Sequence, residues 1–138
     1  MGLDVYIKEM DRKTQTNCAF SPRGNVGYFR DKYNNYSLAN WLTRNIDKEA
    51  RGKWGLAIFT ERSDINTEKW RKDLLLMAKR WYKDAKKLKS KITYAGYPHH
   101  HKEKVSKEET SSYIDWCKEL LIFAEKLNEI KGTVTVSA

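Results

Sequence analysis

The sequence predicts an α+β fold: a small, mainly antiparallel sheet packed with a short helix and a long antiparallel helical hairpin. Three observations predict it. Leu3, Val5 and Ile7 near one end, and Val134 and Val136 near the other, alternate with polar or aromatic residues, the period of half-buried strands. Residues 66–91 and 106–131 carry apolar side chains at spacings of three and four, the period of amphipathic helices. Only a short segment with Gly96 and Pro98 separates those two stretches, so the second helix returns along the first.

Taken in order, residues 3–7 form the first strand. Residues 11–25 are polar and end in the turn cluster Ser21-Pro22-Arg23-Gly24-Asn25, which returns the chain for a second strand over 26–30. Tyr33 to Tyr36 then leads into a short helix capped by Ser37, with Leu38, Trp41, Leu42 and Ile46 on one side. A charged turn over 47–53 follows. Residues 54–60 are apolar, contain Gly55 and are too short for a helix, so they form a third strand or an extended segment.

Asn66 is the expected cap of the basic helix. Its stripe is Trp70, Leu74, Met77, Trp81, Ala85 and Leu88, with Glu68 in the first turn and lysines crowding the end, a polarity that suits the helix dipole. Residues 92–104, which hold His99, His100 and His101, form a loop or a short hairpin. Ser106 and Glu109 have capping-box spacing and start the last helix, whose stripe is Tyr113, Trp116, Cys117, Leu120, Phe123, Ala124, Leu127 and Ile130. Gly132 is placed to stop it. Residues 133–137 alternate as a strand that pairs with the first and closes the sheet.

With 138 residues the chain forms one domain, 1–138, and 40% hydrophobic residues including five Trp supply its core despite 33% charged residues. Cys18 and Cys117 stand far apart without a CxxC partner, which points to a reducing cytoplasm rather than a disulfide framework or zinc site. No apolar run of signal-peptide or membrane-span length occurs, so a soluble cytoplasmic protein without a membrane partner is expected. Between residues 67 and 91, ten Lys or Arg stand against three acids, which places +7 of the chain's +9 in one helix. The last helix, by contrast, has four Lys against six acids over 106–131. Opposite charges along the flanks then set the register of the pair, while the apolar seam holds it. A pI near 9.5 favours acidic partners.

The cations expected to contact phosphate or an acidic surface are Arg71, Lys72, Lys79, Arg80, Lys83, Lys86, Lys87, Lys89 and Lys91. Trp70 and Trp81 lie at core spacing and are not base readers. A second surface joins Asp4 and Tyr6 of the first strand to Tyr28 and Arg30 of the second, where Tyr stacks and Arg takes charge if the strands pair in register. The alternative for these four is a structural Asp–Arg pair among packed aromatics. The three adjacent histidines lack carboxylate or thiolate companions at ligand spacing, so neither a metal nor another cofactor is expected. Cys117 lies on the apolar stripe, and no nucleophile–base set, phosphate-cradling Gly-rich loop or paired-carboxylate motif appears. Binding is favoured over catalysis.

The stretches MGLDVYI, GNVGYFR, SLANWL and INTEKWRKDLL resemble a loose family of small phage and prophage proteins that begin with an MGLDxY signature. The matching positions are Gly2, Leu3, Asp4, Tyr6, Tyr28, Phe29, Arg30 and Trp41, concentrated in the first third of the chain. The chain departs from the family pattern in its strong basicity and in its PHHHKEK segment. The resemblance implies a phage context and, with it, stoichiometric blocking of host defence. The expected function is accordingly an anti-CRISPR inhibitor, acting in the host cytoplasm, whose basic helix engages a defence effector complex or its RNA or DNA. The alternative is a signalling-nucleotide sponge, or a small enzyme acting on nucleotides, using Asp4, Tyr6, Tyr28 and Arg30.

Overall fold

In the computed structural model, which describes residues 3–7, 28–31, 36–50, 62–96 and 102–137, the alternating stretches of the two ends join one sheet. Strand β1 (Leu3–Ile7) lies between β2 (Tyr28–Asp31) and β5 (Val134–Ser137), antiparallel to both. Val134 is buried and stands opposite Ile7, so the positions that alternate with it form the other face of the sheet. The chain's last strand therefore closes on its first, as the alternation predicts.

Helix α1 (Tyr36–Asn45) buries Leu38, Trp41 and Leu42. Ser37 is its second residue rather than its cap, because a cap residue stands outside the helical backbone. Helix α2 (Glu68–Lys86) is shorter at both ends than residues 66–91. Thr67, not Asn66, is the cap: its Oγ1 accepts from Trp70 N–H at 3.2 Å and donates to the Asp64 carbonyl at 2.7 Å. Asn66 adopts a left-handed backbone, φ 73°, which Asn tolerates better than most residues. Beyond Lys86 the hydrogen bonds tighten to i−3, as in Leu88 N–H to Ala85 O and Lys91 N–H to Leu88 O, and the helix gives way to turns.

A short hairpin follows, β3 (Thr93–Ala95) paired with β4 (Glu103–Val105), so of the two readings of residues 92–104 the hairpin is the one that forms. Helix α3 (Lys107–Glu129) begins as its capping box predicts, with Ser106 Oγ accepting from Glu109 N–H at 3.0 Å. At its end Gly132 N–H bonds Leu127 O and Lys131 N–H bonds Asn128 O, the paired bonds of a Schellman stop. Lys131, φ 51°, takes the left-handed position one residue before the glycine expected there.

Helices α2 and α3 pack along their stripes, Trp70, Leu74, Ala78, Trp81 and Ala85 against Trp116, Leu120, Phe123, Ala124 and Leu127. Ala78 belongs to the buried stripe, whereas Met77 and Leu88 are half-buried at its edge. The polar ties across this end of the fold are specific. Arg71 Nη1 donates to Asn66 O at 2.8 Å and Gly132 O at 3.4 Å, and Asn128 Nδ2 donates to Arg71 O at 2.9 Å. Asn66 in turn offers Oδ1 to Val134 N–H at 2.7 Å and Nδ2 to Val134 O at 3.3 Å, bonding the β5 backbone as a neighbouring strand would. The segments 11–25 and 54–60, including the expected third strand, and the histidines lie outside the described residues, as does Cys18.

Candidate nucleic-acid interface

The buried positions of α2 fix its opposite face. With Trp70, Leu74, Ala78, Trp81 and Ala85 turned inward, a rotation of 100° per residue sets Lys72, Leu76, Lys79 and Lys83 along the outward line. That row spans about 16 Å at 1.5 Å per residue. Lys86 and Lys87 flank its far end, and Leu76, 65% exposed, is a lone apolar residue within it. Ordinary amphipathic periodicity thus aligns the lysines, without any local strain.

The nine predicted cations are not equivalent. Arg71 is drawn away from solvent to the Asn66 and Gly132 carbonyls, so it ties the fold rather than facing a partner. Arg80, 58% exposed, is anchored at 3.3 Å to Asp47, a carboxylate only 11% exposed that also accepts from Trp81 Nε1 at 3.0 Å. Lys72 pairs with Glu68 at 3.2 Å and Lys87 with Asp84 at 3.7 Å, exposed contacts worth ~0–1 kcal/mol that a phosphate can replace. The Lys86 ammonium lies 4.8 Å from the Tyr82 ring centroid. Lys79, Lys83, Lys89 and Lys91 are exposed and have no carboxylate partner among the described residues.

Apart from Asp84 and the Asp47 beside Arg80, the carboxylates paired along α2 stand toward its other end. Asp64 and Asp73 both hold Arg62, at 2.6 and 3.0 Å, and Lys69 joins Asp73 at 3.0 Å. The hydrogen bond from Arg62 holds the Asp64 carboxyl below its ordinary range, and those from Arg62 and Lys69 do the same for Asp73. Lys72 likewise lowers Glu68, while the two aspartates raise Arg62. Acids toward the N-terminal end, and toward the C-terminal end lysines of which Lys79, Lys83, Lys89 and Lys91 have no carboxylate partner among the described residues, follow the helix dipole and concentrate positive charge in the second half of α2 and the turns after it. Among the described residues the ion pairs of α2 run along the helix and to Arg62 and Asp47, and Asn128 of α3 ties to the Arg71 carbonyl beside the apolar seam.

The sheet brings the second predicted set into register. Asp4 stands opposite Arg30 and Tyr6 opposite Tyr28, so these four positions share the face that Val134 does not. Trp70, Trp81 and Cys117 are core residues, and burial pushes the Cys117 thiol up to about 12. Among the described residues no group of three or more His, Cys, Asp or Glu could hold a metal ion, and no helix is long and apolar enough to cross a membrane.

Sequence reasoning missed Asp47, whose role depends on a contact with residues 33 and 34 positions away. Leu76 is legible, since it falls four residues after Lys72 and three before Lys79. Compared with protein-family models, curated protein sequences and solved structures, the chain matches none of them.

Proposed function

We propose that the protein is a phage-type anti-defence inhibitor acting by stoichiometric binding, specifically an anti-CRISPR whose basic helix engages the effector complex or its RNA or DNA. The observation that carries the binding mode is the exposed lysine row of α2, in which Lys79 and Lys83 have no carboxylate partner among the described residues. Lys72, Lys86, Lys87, Lys89 and Lys91 extend it. The phage context rests on the resemblance carried by Gly2, Leu3, Asp4, Tyr6, Tyr28, Phe29, Arg30 and Trp41. A polyanion bound by such a row gains affinity through counterion release, about 0.7 to 0.9 in the log–log salt slope per phosphate neutralised.

The test is capture from host lysate expressing a CRISPR effector, with and without nuclease, followed by binding titrations on charge-reversed variants. Lys79→Glu, Lys83→Glu and Lys87→Glu together should weaken binding more than tenfold and flatten its salt dependence, while Arg30→Ala leaves both unchanged. Arg80 is kept out of the reversal because a Glu there would confront Asp47 and disturb the fold. An effector subunit retained after nuclease supports direct protein inhibition; nuclease-sensitive, salt-sensitive capture supports binding of nucleic acid.

The register Asp4 to Arg30 and Tyr6 to Tyr28 favours a second reading, a nucleotide-ligand protein that sequesters or degrades a signalling nucleotide. Under it Arg30→Ala abolishes activity and the lysine reversals do not. Full activity in both variants would sink both readings.

A further inference from the structure

We infer that the outward face of the β3–β4 hairpin is a base-stacking platform for single-stranded nucleic acid, with Tyr94 as the stacking ring and Lys102, Lys104 and Lys91 contacting the flanking phosphates. The inference rests on the reading that the lysine row of α2 binds a polyanion, and it names that polyanion's class. Thr93 and Ala95 are buried, so the residue between them faces outward, and Tyr94 is 37% exposed. Tyr94 stands directly opposite Lys104. Lys102, two residues earlier on the same face, holds its Nζ 4.1 Å from the ring centroid. The intervening Glu103 stands opposite Ala95, on the other side of the pleat.

An exposed aromatic ring with one ammonium group against it and a second lysine at the opposite strand position suits a nucleotide whose base stacks while its phosphates meet the lysines. Ile92, 48% exposed and on the same face, widens the apolar surface beside the ring. The platform is held in place from behind. Asn45 Nδ2 donates to the Tyr94 carbonyl at 2.8 Å, and Thr93 is fixed between Trp41 and Thr110. It also follows the α2 row closely in the chain. Lys91 precedes Tyr94 by three residues, so their Cα atoms lie within about 11 Å, and exposed Lys89 and Lys87 lead back onto the helix.

A duplex keeps its base faces stacked, and an acidic protein surface gains from lysines but not from an open ring, so the combination selects single strands. Lys102 covers one face of the ring by an exposed and therefore weak contact. An incoming base displaces it, and its ammonium moves to the phosphate.

The experiment is fluorescence anisotropy of the full chain with a labelled oligothymidylate, its RNA counterpart and a duplex, across a salt series. Wild type should bind the single strands more tightly than the duplex. Tyr94→Ala should weaken single-strand binding about tenfold or more, leave duplex binding unchanged and leave the salt slope intact, because stacking releases no counterions. Tyr94→Phe should retain affinity, and Lys102→Ala and Lys104→Ala should each lower the single-strand slope by about 0.7. Wild-type affinity in Tyr94→Ala, with the lysine reversals on α2 still damaging, overturns the platform and spares the polyanion reading. Failure of wild type to bind any of the three probes overturns the platform, and an effector captured without nucleic acid would then identify a protein surface as the partner of the lysine row.

Discussion

The hydroxyl of Thr93 accepts Trp41 Nε1–H at 2.8 Å and is hydrogen-bonded to Thr110 Oγ1 at 2.8 Å, all three side chains being buried. Thr93→Val would leave a buried indole N–H without its acceptor, at a cost of about 1–3 kcal/mol. Thr110→Val keeps the indole bond and should cost less. Adding Trp41→Phe to Thr93→Val removes the orphaned donor, so the double variant should lose less than the sum of the single losses in urea unfolding. Equal losses for the two threonine variants would show that the indole bond is not what matters. Trp41, Trp70 and Trp81 are assignable to the core from helical spacing, but this polar chain is not, because it links residues 52 and 17 positions apart. Arg71 shows the same limit. By spacing it belongs with the basic strip, and only the carbonyls of Asn66 and Gly132 draw it away.

Helix starts and stops divide in the same way. The Ser106–Glu109 box is local chemistry and is legible as such. Asn66 and Thr67 are both competent caps, and the choice falls to Thr67 because the Asn66 amide bonds Val134, 68 residues away. The alternation that marks β1 and β5 identifies the strands, and the register that sets Asp4 opposite Arg30 also requires the turn and sheet to form. At the end of α3 the left-handed position falls to Lys131 although Gly132 is the better residue for it. Lys131→Gly removes the Cβ penalty and should stabilise the protein by up to about 1 kcal/mol, partly offset by the freer unfolded chain. Lys131→Ala is the control for loss of charge. A melting temperature that rises for Gly and not for Ala assigns the gain to backbone strain; an equal rise for both would assign it to charge.

Across the whole molecule, the net charge of +9 and the lean of α2 from Glu68 to its terminal lysines are legible in the sequence, but which lysines find carboxylates is not, because Arg62 and Asp47 reach the helix from outside it. Asp64, Glu68 and Asp73, all held below their ordinary values of 3.8, 4.5 and 3.8, neutralise the start of the helix. Because these values are lowered on folding, the unfolded chain binds protons more readily over this range, so stability rises with pH there. Their contribution is complete above the ordinary carboxylate values and is lost as pH falls through them toward the lower folded values. Arg62 stays charged throughout, and protonation also strips the acids that offset 27 Lys and Arg, so repulsion acts in the same direction. The urea midpoint should therefore be level near neutrality and fall below about pH 4.5. In Asp64→Asn/Asp73→Asn the midpoint should already be lower at neutral pH, and its further fall in acid should be shallower. A wild-type midpoint unchanged at pH 3, or an equally steep fall in the double variant, would show that the Arg62 cluster does not couple protonation to folding. Because the cluster lies at the opposite end of α2 from Lys83, the double variant should also keep the salt slope of nucleic-acid binding, which separates the charges that hold the helix from those that face a partner.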